Sequence, residues 1–449
     1  MAGLHRSDFA PSASLVRESR PLAAQIRHHP LVNGNSAAGR LRVLGLVTAV
    51  ALLAAAAATI LYQRNPGWMY DATVYRQGGA AALHGLDVYR RLPPPAFTYA
   101  PFAALLFIPL SLLPINGIGL LWTAISIVCL VAAIWLTLGR PAVDRDRRAL
   151  LVCAAAAALS VWLDPVSLTL LLGQVNLILL FLVLFDLSLA DRSRWKGIGV
   201  GIAAGIKLTP AFFVLYLLLT RRFRAAAVAV ATLAATVALG FIALPGDSIR
   251  YWGGIFLDSS RVGAPQNVRS QSLRSVLVRW LHTSHGIEPA WILLSATLAV
   301  AALGLAVWAH RRGEELLAIC VCATGALLIS PITWQHHWVW VVPTLLWLAQ
   351  RAWQTRSRLL WATAAVIAAE FFARPYIWGV PVDPVADLHL GVWQLLQSST
   401  YAVTAFLVLG LAGLMLWRDR RRQVSEVTSH QTSTPPDWAG GRPSSAVKY

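Results

Sequence analysis

Charge is scarce in this chain. Only 13% of its 449 residues are Asp, Glu, Lys or Arg, against roughly 25% in soluble domains. Lysine is nearly missing, represented by Lys196, Lys207 and Lys448 alone. The four cysteines, Cys129, Cys153, Cys320 and Cys322, all lie inside apolar runs, where Cys behaves as a small hydrophobe. The Cys-Val-Cys pair has no second Cys or His pair at zinc spacing, which argues against a structural metal site. Walker A, HExxH, GxSxG and dinucleotide-binding patterns are missing too, and with them the common nucleotide, metalloprotease and serine-hydrolase chemistries.

Apolar residues fill the space that charge leaves. They make up 57% of the chain, and the mean hydropathy is +0.59. Long apolar segments recur along nearly the whole length, which excludes a soluble globular protein, a disordered one and a protein with a single membrane anchor. The fold class is all-α, a polytopic integral membrane protein. The net charge of +18 does not signal nucleic acid, because the arginines sit in short gaps between apolar runs rather than in a basic patch. That placement follows the positive-inside rule.

Arginine placement also predicts the topology. Residues 1–40 form a basic N-terminal arm, 41–417 the membrane domain and 418–449 a Ser/Thr/Pro-rich tail expected to be disordered. A first span over 42–62 carries the chain out, with no secretory signal peptide before it. The run 101–113 is short and bounded by proline, so it is expected to lie at the interface or re-enter without crossing. Spans follow near 117–138, 149–163, 175–190, 225–244, 290–309, 316–330, 338–350, 359–373 and 399–417, with a hairpin of two short helices over 197–220. The sum is about twelve crossings with both termini cytoplasmic. No repeat marks a transporter built from duplicated halves.

On this topology the polar residues that are neither caps nor anchors converge on the outer face, and ionisable groups near membrane depth are costly enough to signal function. No DxD pair lies in an outer loop. Asp71, in YDATVYRQGGAA beside Tyr75 and Arg76, is either a juxtamembrane helix cap or a general base whose pKa burial raises. His336 and His337, in SPITWQHHWVW with Trp334, project about 100° apart if helical. One of them can face a cavity; the plainer alternative is an interfacial aromatic belt with incidental histidines. Lys207, framed by Gly205 and Pro210 in AAGIKLTP, is either a structural turn residue or a cation placed for a phosphate. The loop QNVRSQSLRSVLVRW sets Arg269, Arg274 and Arg279 outside, against the charge trend, with Asn267, Ser270, Gln271 and Ser272 beside them. These groups suit sugar hydroxyls or phosphate oxygens, or else decorate an exposed amphipathic helix. Gln174 and Asn176, at the start of a span in GQVN, suit capping and ligand contact equally.

Together, YDATVYRQGGAA, FTYAPFAALLFIPLSLLP, GQVNLILL, AAGIKLTPAFF, RSQSLRSVL and SPITWQHHWVWVVP resemble, in order, the motifs of glycosyltransferase family 87. These are membrane enzymes of the GT-C class that use polyprenyl-phosphate sugars. The likeness runs from about Asp71 to Pro343 and is nearest to the branch whose α-1,2-mannosyltransferases extend phosphatidylinositol mannosides. It implies a GT-C fold with an extracytoplasmic juxtamembrane helix region, in the plasma (inner) membrane. It implies a polyprenyl-phosphate sugar donor, a glycolipid acceptor and membrane lipids as partners, with no cofactor and no nucleic acid. By the same resemblance Asp71 is the catalytic base, with His336 and His337 from the segment that supplies its histidine partner. Lys207, Arg269 and Arg274 fall in segments that hold the lipid phosphate, and Tyr75, Arg76, Gln174, Asn176, Gln271, Ser272 and Trp334 are expected to contact substrate. Transfer is expected to be inverting and metal-independent. The sequence departs from the family pattern at Ala72, after the aspartate, and at Ala100, where a second proline is usual. A sibling arabinofuranosyltransferase would share all of these features, and a lipid-linked sugar transporter is the competing class without covalent chemistry.

Overall fold

The computed structural model describes residues 60, 63–65, 67–90, 96–139, 146–380 and 388–432. The arm 1–40, most of the span expected at 42–62, and Asp383 lie outside these residues. Helices follow one another throughout, and the one β-type pairing among the described residues is an isolated bridge between Ser270 and Trp334.

In chain order the helices are α1 (Tyr70–Leu83), α2 (Pro101–Leu106), α3 (Ile108–Ser111), α4 (Ile115–Leu138), α5 (Asp146–Ser160), α6 (Asp164–Leu172), α7 (Asn176–Ser188), α8 (Ile198–Ile206) and α9 (Phe212–Leu219). After these come α10 (Phe223–Ala243), α11 (Pro245–Trp252), α12 (Leu273–Trp280), α13 (Glu288–Arg311), α14 (Glu315–Ile329), α15 (Val341–Thr355), α16 (Arg358–Ala373), α17 (Val392–Ser398) and α18 (Thr400–Thr432).

Among the described residues, four helices are long and apolar enough to cross a bilayer alone: α4, α10, α13 and the Thr400–Arg418 part of α18. The pair α5–α6 gives a fifth if counted as one broken span, bent by 78° where Asp164-Pro165 follows Leu163. Several spans expected from hydropathy are shorter helices. The run 175–190 becomes α7, the run 316–330 becomes α14, and 338–350 opens with a 3₁₀ turn, Gln335–Trp340, before α15. The run 101–113 forms the short α2 and α3, broken at Phe107, and neither can span. The two short helices expected over 197–220 are present as α8 and α9, with Lys207 extended between them at φ −142°, ψ 127°. The helix α18 continues through Thr432, and the rest of the expected tail lies outside the described residues. No glycine or proline interrupts the sequence from Leu414 until Pro435, so nothing stops the helix at the membrane edge.

The helix α14 sits at the centre, buried on every side from Glu315 to Leu328, as an all-round apolar helix must be. Its N-terminal end is anchored by Glu315, which accepts from both Nη groups of Arg222 at 2.6 and 2.8 Å, from the Tyr216 hydroxyl at 2.9 Å, and pairs with His310 at 2.6 Å. The bidentate geometry and added hydrogen bonds suit a carboxylate taken out of water. The opposite end of α14 opens on the region that holds Lys207 and the two histidines.

Candidate active site

The first helix delivers Asp71 through a tight start. Met69 caps α1 in the left-handed conformation, φ 55°, and its backbone N–H donates to the Leu171 carbonyl at 2.8 Å. Gly173 ends α6 at φ 69°, and a Cβ there would lie 2.6 Å from the Ala72 Cβ and 2.7 Å from the Met69 sulfur. Only glycine meets both the dihedral and the close approach. Because α1 seats against this turn, Asp71 comes to lie beside Gln174. Tyr75, four residues on, faces the same way as Asp71 and is fully buried.

Asp71 is half-buried. Burial pushes its pKa up to about 6, opposed by a hydrogen bond from Gln174 and by the positive charge of Lys207. Lys207 is half-buried as well, and burial pushes it down to about 8, with the Asp71 charge acting in the opposite direction. The lysine Nζ lies 2.8 Å from His337 Nε2, 3.5 Å from Asn176 Oδ1 and 5.7 Å from the centre of the Tyr99 ring. An ammonium only donates, so His337 accepts at Nε2 and carries its proton on Nδ1. Burial and the neighbouring Lys207 charge hold His337 neutral, well below the usual histidine range.

His336 stands at right angles to His337, ring centres 4.7 Å apart. Both its ring nitrogens are buried without a partner, and its backbone carbonyl accepts from Asn176 Nδ2 at 2.9 Å and Thr169 Oγ1 at 3.2 Å. Asn176 therefore pins the histidine segment and faces Lys207. Neither Asn176 nor Gln174 caps a helix, since α7 starts from Val175 without a side-chain cap.

Lys207 and His337 form the polar end of a cavity, together with Asn176, Thr209, Ser330 and Thr333. The remainder of its wall is apolar, including Leu179 and Val183 of α7, Phe213 of α9, Ala323 and Leu327 of α14, and Trp340. Asp71 is not part of that wall, and it and Lys207 each move the ionisation of the other. Among the described residues no salt bridge reaches Lys207, and no three His, Cys, Asp or Glu side chains cluster as metal ligands do.

Other residues singled out from sequence lie elsewhere. Arg274 donates to Ser259 Oγ at 2.7 Å, stacks over Trp291 at 5.3 Å and lies 3.7 Å from Glu288, so its charge is engaged by the loop before α12 and the start of α13. Arg269 is exposed and acts on the buried Asp164 rather than on the cavity. Gln271 and Ser272 are fully buried. Gln271 Nε2 donates to the carbonyls of Val268 and Ser398, both at 2.7 Å, while Ser272 caps α12 by accepting from the Ser275 N–H. These bonds brace the loop, and the Gln271 Oε1 is buried without a hydrogen-bond partner. Ser398, which engages Gln271, is 127 residues away in sequence, and local polarity could not reveal it. Arg76 is exposed and reaches the Leu113 carbonyl at 3.1 Å. Trp334 packs over Gly263, where a Cβ would lie 2.3 Å from its ring. Tyr99 was missed, although it stands in the FTYAPF segment, two residues before the Pro101 that opens α2.

Fold and site thus combine an apolar helical scaffold with a carboxylate and an ammonium that influence each other and share no salt bridge. The chain belongs to glycosyltransferase family 87, whose profile matches residues 97–331. It is 31% identical over 79% of its length to the polyprenol-phosphate-mannose-dependent alpha-(1-2)-phosphatidylinositol mannoside mannosyltransferase of Mycobacterium tuberculosis (strain H37Rv), covering 86% of that protein. It is 33% identical over 76% of its length to the corresponding phosphatidylinositol pentamannoside mannosyltransferase of Mycolicibacterium smegmatis, covering 85% of it. The pentamannoside enzyme of M. tuberculosis (strain CDC 1551) is 33% identical over 69% of the chain, with 75% of that protein covered. No solved structure gives a significant match.

Proposed function

We propose that this enzyme transfers mannose from polyprenyl-phosphate mannose to a mannosylated lipid or lipoglycan, forming an α-1,2 linkage with inversion, on the extracytoplasmic face of the plasma membrane. The observation that carries the reading is Lys207. It is a cation with no salt-bridging carboxylate, set at the polar end of an otherwise apolar cavity. That combination of one charge and a greasy wall fits a phosphate carried on an isoprenoid chain. The relatives named above use a donor of that kind. Twelve crossings with both termini cytoplasmic would place the site on the outer side.

In this scheme Asp71 removes the proton from an acceptor mannose hydroxyl as its oxygen bonds to the anomeric carbon. The anomeric C–O bond to phosphate breaks at the same time, and its electron pair stays on the phosphate oxygen. Lys207, held by His337, meets that growing charge, which is the electrostatic contribution a preorganised site supplies. Attack opposite the leaving phosphate converts a β-linked donor into an α-linked product. With the ammonium in this role, the reaction is expected to run without a metal ion.

The test is turnover by the purified protein in lipid, given polyprenyl-phosphate mannose, a panel of mannosylated phosphatidylinositols and lipomannan fragments, and EDTA. A product heavier by one hexose, lost in Asp71→Asn, supports the reading and names the acceptor. Product only with the polyprenyl-phosphate arabinose donor would replace mannose with arabinofuranose. Retained turnover in Asp71→Asn would remove that residue as the base.

A further inference from the structure

Gln174 was expected to touch substrate, and its surroundings give it a different task. The side chain is buried, and its Oε1 lies 2.9 Å from the Tyr75 hydroxyl and 3.2 Å from the Tyr99 hydroxyl. The two hydroxyls are 2.9 Å from each other, and the Tyr75 oxygen also receives the Val175 N–H at 3.4 Å. Both tyrosines are held above their ordinary pKa, chiefly by burial, so both keep their protons and must donate them.

Proton counting then orients the amide. Two hydroxyls share two protons, and they cannot both donate to each other, so at least one donates to Gln174. That makes the oxygen the side facing the tyrosines and leaves the NH₂ free to turn to Asp71, whose charged form Gln174 favours. The reverse orientation would set the amide oxygen against a carboxylate, two acceptors with no proton between them. The backbone is fixed as well, because the Gln174 N–H donates to Thr169 at 2.8 Å straight after the left-handed Gly173.

We propose that Gln174 is a positioning residue: Tyr75 and Tyr99 lock its amide so that the NH₂ occupies one oxygen of Asp71 and leaves the other for the acceptor hydroxyl. The inference rests on Asp71 being the base. An unoriented carboxylate would divide its time among rotamers, only some of which can take the proton, and geometric looseness of that kind lowers kcat before it affects binding.

The experiment is the pH dependence of kcat and of donor KM for the full chain in lipid, comparing wild type, Gln174→Met, Gln174→Glu and Tyr99→Phe. The charged and titratable groups acting on Asp71 are Tyr70 and Tyr75 of its own helix, Tyr99 and Lys207, and all are unchanged in the two Gln174 variants. Loss of a hydrogen bond to a charged group predicts for Gln174→Met a kcat about 10- to 100-fold lower and an acidic limb about one pH unit higher, with donor KM within about twofold. Gln174→Glu should move the limb further, since it puts a second carboxylate beside the first. Tyr99→Phe keeps the ring and removes one hydroxyl, so it should shift kcat and the limb in the same direction by less, and it serves if the Gln174 variants do not fold. A raised KM with an unmoved limb would make Gln174 a substrate contact and overturn the proposal. So would an unmoved limb and unmoved kcat in both Gln174→Met and Tyr99→Phe. The base assignment fails separately, through turnover by Asp71→Asn or a wild-type profile with no acidic limb.

Discussion

The Lys207 Nζ lies 2.8 Å from the Nε2 of His337, a half-buried ammonium paired with a neutral ring rather than with a carboxylate. The pairing fixes where the charge points without cancelling it. A carboxylate in the place of His337 would neutralise the site and leave nothing to attract an anion.

Replacing Lys207 by Met should therefore reduce kcat/KM by about 10²- to 10³-fold, the usual cost of losing one charge-stabilising donor. Steady-state kinetics with varied donor would show it. A loss under about threefold would move the phosphate contact to another residue.

The pH profile should be bell-shaped. Asp71 acts as a base only when ionised, so rate rises through its pKa of about 6. Lys207 acts only when protonated, so rate falls through its pKa of about 8. Lys207→Arg should keep the acidic limb and abolish the basic one, because guanidinium does not lose its proton in this range. Both limbs can be read from one series of initial rates.

His337→Phe removes the acceptor that aims Lys207 and should lower kcat by about tenfold or more, as loss of positioning does. His337→Gln, which restores an acceptor oxygen, should recover part of that loss. Equal activity in the two variants would show that the lysine is held by Asn176 and the Tyr99 ring instead.

Gly173→Ala should be destabilising and slow. The new Cβ would meet Ala72 and Met69 at 2.6 and 2.7 Å in a left-handed backbone, so a cost of about 1–3 kcal/mol is expected. Thermal unfolding in detergent measures that cost. Activity should fall further than stability alone explains, since the contact sets Asp71 against Gln174.

Arg279 is fully buried and donates to the carbonyls of Asn267, Ser270 and Ser398 at 2.9 to 3.1 Å. Arg279→Leu should lower stability by about 3 kcal/mol or more, because three acceptors lose a charged donor. The protein that remains folded should keep its donor KM, which kinetics on the surviving fraction would test.

Sequence made the class of fold legible because hydropathy is local, and it singled out Asp71 and Lys207 because charge at membrane depth is rare. It could not choose between His336 and His337, since adjacent residues differ only in direction and that direction is set by a 3₁₀ turn. Tyr99 gave no signal of its own: its hydroxyl matters through Tyr75 and Gln174, 24 and 75 residues away. Gln271, Ser272 and Arg274 looked like ligand contacts for the opposite reason. They are polar in a loop between apolar runs, and the partners that engage them lie on other segments or within the loop itself. Span lengths suffered likewise, because an apolar run marks burial whether the neighbour is lipid or, as for α14, protein.

The uncancelled charge on Lys207 also bears on what happens after the bond is made. The donor is a phosphodiester with a single negative charge, whereas the lipid phosphate left behind is a monoester carrying close to two at neutral pH. A fixed ammonium in a low-dielectric cavity grips the second more strongly than the first. Under the proposed reaction, the spent carrier is thus the better ligand. The catalytic cycle would then be paced by how fast the bilayer draws that carrier away.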